Sequence, residues 1–299
     1  MRVQTYAKIN LTLEILGRRS DGFHEVKTIL QTIDLADRLD VEPASRLRVD
    51  CDDPSLNGGA NLVWQAAVRL AERAGIEPRA HIFMRKRIPV GMGLGGGSSD
   101  AAAALLALNQ LWGVGLPVDE MYPMAAKIGS DVPFFLRGGT ALAEGRGERV
   151  SPLPALAQMP VLLVCPDETF GDKTRKLYSH ITPVHYSDGG VTRRLVQTMM
   201  GGQLETSMLN NVFENVAFQV FPGLGNLYQR VANLVATPPH LCGAGPALFC
   251  LPSSEEEYQE VAKALQYCKA TAYLAHAIIP QPPNGNQIDK PWKSGTESK

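Results

Sequence analysis

Residues 89–112 read PVGMGLGGGSSDAAAALLALNQLW. Five glycines (Gly91, Gly93, Gly95, Gly96 and Gly97) fall within seven positions, and a strongly helical run begins after two serines and an aspartate. Few local patterns restrict a fold so tightly. A turn needs one or two glycines rather than five. The cluster therefore serves to bring bare backbone close to something and to allow positive φ. At a helix start the first N–H groups lack intrahelical acceptors, and the dipole adds partial positive charge. The guest implied is an anion, most commonly a phosphate.

Three phosphate loops compete for this pattern. Gly91, Gly93 and Gly96 satisfy GxGxxG, the dinucleotide fingerprint. The preceding stretch HIFMRKRI, however, carries three consecutive basic residues, unlike a central strand of a parallel sheet. No apolar strand ending in an acid follows at the required distance of about 20 residues. A Walker A loop needs Lys after its last glycine, whereas Ser98, Ser99 and Asp100 follow Gly97.

The remainder reads as mixed strands and helices without strict alternation, which is the α+β class. Val3–Leu16 and the segment VKTILQTIDLADRLDVEP read as strands, the first broken near Lys8–Asn10. RLRVDCDD and RAHIFMRKRIP are further strands, Asn61–Ala74 carries a helical apolar stripe, and a helix runs from Ser99 to Trp112. PVDEMYPMAAKIG is a helix with acids in its first turn, and SDVPFFLRGGTALAEGRGERV is loop, strand and hairpin. Beyond PALAQMPVLLVCP, helical stretches are expected at Thr174–Ser179, Thr192–Met200, Leu227–Ala236 and Ser254–Cys268, with strands at ALFCLP and ATAYLAHAII. The boundary between an N-terminal domain (1–155) and a C-terminal one (156–280) is placed at the proline-punctuated connection. Residues 281–299 are polar and breaker-rich, an expected disordered tail.

Bulk properties exclude several roles. A net charge of −1 and the lack of basic tracts with interleaved aromatics oppose nucleic-acid binding. No run of 18 apolar residues is present to span a membrane. The N-terminus has no apolar signal-peptide core, and the five cysteines show no CxxC spacing. Small buried thiols in a reducing cytoplasm are the expectation.

The loop PVGMGLGGGSSDAAAAL resembles the phosphate loop of the GHMP kinases, which include galactokinase, homoserine kinase and mevalonate kinase. Three further segments are similar to that family's motifs: AKINLTLEILGRRSDGFHEVKTILQTIDLAD, GSDVPFFLRGGTALAEGRGE and LCGAGPALFC. The resemblance covers the chain except its tail. It implies a two-domain architecture, with a ribosomal-protein-S5-domain-2-like N-terminal part and a ferredoxin-like α/β C-terminal part. It implies ATP as co-substrate with Mg²⁺, and a small-molecule acceptor. The segment DGFHE resembles the branch of the family whose acceptor is a cytidyl-diphospho polyol of isoprenoid precursor synthesis. Alternatives are another GHMP kinase, of homoserine or mevalonate type, or a non-catalytic ATP-binding relative.

The resemblance makes Lys8 and Asp131 the catalytic pair. The ATP site would comprise Pro89, Val90, Gly91, Met92, Gly93, Leu94, Gly95, Gly96, Gly97, Ser98 and Ser99, with Asn61 near the adenine. Asn10, Phe23, His24, Gly243 and Gly245 would hold the acceptor, Phe23 stacking on cytosine where relatives often carry tyrosine. Each residue also has a plainer reading. Asp131 suits a turn or cap, Lys8 a surface position on its strand, and Asn61 a helix N-cap. If Lys8 points inward, it needs an anionic partner. Ser98 or Ser99 offers a hydroxyl to Mg²⁺ or phosphate, or caps the helix, as Asp100 also would. Cys242 stands where many relatives have Ser or Thr, which removes a hydrogen bond expected at that turn.

Overall fold

The computed structural model describes residues 1–280 apart from 157, 169 and 267. The expected tail, 281–299, lies outside the described residues. Two long strands, β1 (Arg2–Arg18) and β2 (His24–Glu42), form an antiparallel pair that runs the length of the first sheet. The break expected at Lys8–Asn10 does not occur. Both polar side chains find buried partners there, and the irregularity is absorbed as register shifts between Tyr6/Ala7, Asn10/Thr12 and Ile15/Gly17.

The other edge of β2 is shared. Val26–Gln31 pairs with β5 (Thr140–Gly145), while Arg38–Glu42 pairs with β4 (His81–Arg85), itself parallel to β3 (Arg48–Cys51). β6 (Arg149–Pro152) extends the sheet beyond β5. α1 (Leu62–Ala74) and α2 (Gly96–Leu111) pack against it, α3 (Val118–Ile128) lies on those helices, and α4 (Val132–Phe135) is a single turn where the sequence predicts loop. Ala101, Ala102, Ala103 and Ala104 of α2 are all buried, so this helix can lie close against β1 and β2 among Leu39, Ile82, Leu70 and Leu105. Each fully buried Leu or Ile contributes roughly 1.5–3 kcal/mol.

After residue 159 the chain enters a second, antiparallel sheet. β7 (Pro160–Pro166) lies between β11 (Ala270–His276) and β10 (Leu248–Cys250), which in turn pairs with β9 (His240–Leu241). α5 (Lys173–His180), α6 (Gly190–Met200), α7 (Glu214–Val220), α8 (Leu224–Ala232) and α9 (Glu255–Leu265) complete this part; four lie close to the helical stretches expected from sequence, and α7 is one the sequence reading does not contain. The short β8 (Asn210–Asn211) crosses back to pair in parallel with Thr12 and Leu13 of β1. A third apolar cluster joins the two sheets, with Ile9, Leu11, Ile29 and Ile33 packed among Leu163, Leu195, Phe249 and Ala275. No helix among the described residues is long and apolar enough to cross a membrane.

Candidate active site

The first half of the site is the entry to α2. The helix begins at Gly96, three residues before the expected Ser99, because Gly95 takes the N-cap position at φ 75°. Gly91 and Gly93 are also left-handed, at φ 80° and 86°. No side chain caps α2, so the capping alternative falls for Ser98, Ser99 and Asp100 alike. The first-turn N–H groups are left free to meet an anion. Gly91, Gly93, Gly95, Gly96, Gly97 and Ser98 border a cleft of about 1620 Å³. That volume exceeds the roughly 300–1,000 Å³ of an ordinary small-molecule pocket and suits two ligands side by side.

Pro89, Val90, Met92, Leu94 and Asn61 border the cleft as well. Asn61 is also the N-cap of α1, its Oδ1 accepting from the Val63 N–H at 2.8 Å. Ser99 is a correction. Its side chain turns to the other face of α2, buried beside a separate cavity with Thr5 and Phe135, because consecutive helical residues point about 100° apart.

The loop is held at three places. The Lys8 N–H of β1 donates to the Leu94 carbonyl at 2.9 Å. The turn after β9 packs backbone against backbone on it: a Cβ on Gly93 would lie 1.8 Å from the Cys242 carbonyl oxygen, and one on Gly245 would lie 2.2 Å from Met92. Gly245 is thus committed to the loop and not to the cleft surface, where Gly243 and Ala244 stand instead. Thirdly, Asp37 of β2 accepts from the N–H groups of Arg87 and Ile88, at 2.5 and 2.8 Å.

Asp37 belongs to a buried cluster. Lys86 pairs with it and, at 2.6 Å, with Asp100 of α2, which also accepts from Thr5 Oγ1. Burial opposes charge on Lys86, but Asp100 and Asp37 outweigh it and raise its pKa. Burial pushes the Asp100 carboxyl up to about 6, Lys86 opposing and the neighbouring Asp37 adding to the rise. The cluster thereby links the two ends of the glycine loop through one lysine.

The floor of the cleft is Lys8, only 3% exposed, which disposes of the surface-facing alternative. Its Nζ donates to Asn10 Oδ1 at 2.8 Å and lies 3.3 Å from Asp131 Oδ2. Asn10 is itself oriented by donating to Thr28 Oγ1 at 2.8 Å, which leaves its carbonyl oxygen for the lysine. Asp131 precedes α4 but makes no side-chain cap, so its carboxylate is free to face Lys8 and the cleft. A buried ammonium needs such a partner.

The far end of the cleft is aromatic. The His24 ring stacks on Tyr178 with centroids 5.1 Å apart and meets the edge of Tyr186 at 6.3 Å. Burial, helped by Arg18, lowers its pKa, so the imidazole is neutral at neutral pH. Phe23 is 51% exposed with the Arg146 guanidinium 4.7 Å from its ring centroid. Gly243, φ 59°, sits under Lys8 and Asn10. The hydrogen bond in doubt at Cys242 is not needed, since Asn211 Nδ2 donates to the Leu241 and Gly243 carbonyls at 3.0 and 2.8 Å. The Cys242 thiol is fully enclosed, and burial pushes its pKa well up.

Sequence reading missed Lys86, Asp37, Tyr178, Tyr186, Arg146 and Lys173. Lys86 carried a signal, as one of three consecutive basic residues at the end of β4 and just beyond it. Lys173 and Tyr178 come from α5 and Tyr186 from the segment after it, in the other half of the chain, which no local spacing relates to the loop. Among the described residues no group of His, Cys, Asp or Glu is arranged to hold a metal. A magnesium ion here would be held chiefly by phosphate oxygens, with the Ser98 hydroxyl as the protein group at the loop.

Comparison with known proteins bears on this geometry. The family described as GHMP kinases N terminal domain matches residues 61–139. A 4-diphosphocytidyl-2-C-methyl-D-erythritol kinase of Dehalococcoides mccartyi is 40% identical over 275 residues, covering 92% of this chain and 97% of that protein. The crystal structure of a 4-(cytidine 5'-diphospho)-2C-methyl-D-erythritol kinase superposes with TM-score 0.77 at 34% identity, covering 92% of this chain and 98% of that one. A homoserine kinase from Cytophaga hutchinsonii shares the fold, with TM-score 0.71 at 20% identity, covering 92% and 95% of the two chains.

Proposed function

The chain belongs to the GHMP kinases, on the 4-diphosphocytidyl-2-C-methyl-D-erythritol kinase branch, and from that premise we infer how its cleft works. The enzyme transfers the γ-phosphoryl of ATP to a hydroxyl of 4-diphosphocytidyl-2-C-methyl-D-erythritol, giving the 2-phosphate in the non-mevalonate route to isoprenoid precursors. The triphosphate lies on the uncapped start of α2, where glycine backbone and helix dipole receive it. When bound with ATP, Mg²⁺ would take the Ser98 hydroxyl as its protein oxygen and would supply charge neutralisation on the phosphates.

Asp131 is the general base. The acceptor oxygen attacks the γ-phosphorus, the bond to the departing ADP oxygen breaks, and the hydroxyl proton passes to the carboxylate. Lys8 pairs with Asp131 and offers positive charge to the equatorial oxygens. Asn10 keeps Lys8 in place. Phe23 and His24 receive the cytosine, His24 as a neutral ring able to donate from one nitrogen and accept at the other.

One observation carries this reading: the buried Lys8, paired with the half-buried Asp131, stands in one cleft with the glycine loop and with the aromatic side chains Phe23 and His24. A homoserine or mevalonate acceptor has no ring to place between such side chains, and a non-catalytic relative has no use for the acid. The test is ADP release, coupled to a dehydrogenase readout, with the cytidyl polyol, homoserine and mevalonate in turn. Turnover is expected with the first alone. Turnover with either of the others, or with none, overturns the reading. Residues 1–155 and 156–280 are proposed as the two domains that close this cleft.

A further inference from the structure

Three lysines border the cleft, and two are answered by acids: Lys8 by Asp131, and Lys86 by Asp37 and Asp100. Lys173, the first residue of α5, is not. Among the described residues it makes no ion pair and no hydrogen bond. Its ammonium nevertheless reaches across to the glycine loop, and would lie 3.6 Å from a Cβ built on Gly91. A half-buried, unpaired ammonium beside a row of unpaired amides is an unfavourable arrangement until an anion completes it.

We propose that Lys173 binds a phosphate oxygen held over the first turn of the glycine loop. The proposal rests on the kinase reading, which brings polyphosphates into this cleft. Two sources share that chemistry, the triphosphate of ATP and the diphosphate bridge of the acceptor. Burial lowers the Lys173 pKa to about 8, and the nearby Lys8 charge adds to the fall. A bound phosphate opposes both effects and raises it. Below about pH 8 the ammonium is already charged, and binding takes up no proton there. Above that value binding takes up a proton, and affinity falls with rising pH. The other titratable or charged groups bordering this cleft are Lys8 and Arg18 on β1, His24 on β2, Lys86 after β4, Asp100 on α2, Asp131 before α4, Arg146 after β5, and Asp172, Arg175, Tyr178 and Tyr186 in and around α5. His24, with its pKa lowered, is neutral throughout this range, and burial raises that of Tyr178 above it.

The experiment is titration calorimetry of the intact protein with adenylyl imidodiphosphate and, separately, CDP. Each is run at about pH 7 and about pH 9, values on either side of the shifted lysine, in buffers of different ionisation enthalpy. Proton uptake is expected at the higher pH with the nucleotide whose phosphate Lys173 holds, and that identifies the source. K173Q should lose the uptake and bind that nucleotide about 10- to 100-fold more weakly near pH 7, as for a charged hydrogen bond. K173R should keep the affinity at both values and lose the uptake, since a guanidinium does not titrate there. A folded K173Q that binds both nucleotides as the parent does, or a K173R that retains the uptake, overturns the proposal. A parent protein that binds neither nucleotide overturns the kinase reading, and this proposal with it.

Discussion

The interlock of the two glycine turns makes a quantitative demand on Gly93→Ala. The φ of 86° costs an alanine about 1–2 kcal/mol. The new methyl would lie 1.8 Å from the Cys242 carbonyl oxygen, against 3.4 Å for ordinary contact, so the turns must separate by roughly 1.6 Å. That separation stretches the Ala247 N–H to Met92 carbonyl bond at 3.3 Å and the Lys8 N–H to Leu94 carbonyl bond at 2.9 Å. Losing both adds about 1–3 kcal/mol. The whole effect is therefore about 2–5 kcal/mol, to be read from urea midpoints. Gly91→Ala is the control. Its φ of 80° carries the same strain, but its methyl meets only the flexible end of Lys173 at 3.6 Å, so about 1–2 kcal/mol is expected. Catalysis should separate the pair further, because a displacement of an ångström or more in the phosphate cradle costs about 10²-fold in kcat/KM for ATP. Two variants that agree within about 0.5 kcal/mol and have equal kcat/KM would refute the interlock.

Asp131→Asn keeps the shape of the acid and removes its proton affinity, so kcat should fall by about 10²–10⁴-fold while ATP binding is unchanged; near-parental turnover removes the general base. His24→Ala should act chiefly on KM for the cytidyl acceptor, and an unaltered KM removes the cytosine site. Asp37→Asn weakens the acceptor of the Arg87 and Ile88 N–H groups and should raise KM for ATP by about 10-fold, the effect of about 1.4 kcal/mol; an unchanged KM means that the loop does not depend on that tether. Asp100 has a folded pKa of about 6, above that of the unfolded chain. Its proton is held more tightly when folded, so it contributes stability that is fully present below about pH 4 and lost as pH rises through about 6. Parent and Asp100→Asn midpoints should draw apart in favour of the parent on acidification across that window, and parallel curves would contradict the buried cluster.

What was legible depended on how local the constraint is. The glycine loop, the α2 run and the Asn61 cap are set by neighbours in sequence, and each was readable to within a few residues. Lys8 showed itself as a charge within an apolar strand, yet its direction was settled only by Asp131, some 120 positions away and opposite it in space. Ser99 was misplaced because the helix phase depends on where α2 starts, and Gly95 starts it early. Asp37 and Asp100 looked like ordinary polar residues of a strand and a helix start. Only the pairing of β2 with β4 and the packing of α2 on the sheet bring them to one lysine. Tyr178, Tyr186 and Lys173 were invisible for the same reason, since the approach of α5 and the segment after it to the cleft is a tertiary fact.

The third apolar cluster also dictates an order of events during synthesis. Ile9, Leu11, Ile29 and Ile33 are among the first residues made, while Phe249 and Ala275, which cover them, are among the last of the described chain. At roughly 5–20 residues per second, that face of the first sheet waits on the order of ten to fifty seconds for its covering strands. The ties that close the structure, Ile33 bridged to Ala277 and the Ile278 N–H on the Thr32 carbonyl, come later still. A nascent chain stalled before β10 therefore presents a greasy, strand-edged surface to the translation machinery and to its neighbours. Premature termination in the last tenth of the described chain would leave an aggregation-prone product and not a smaller working enzyme.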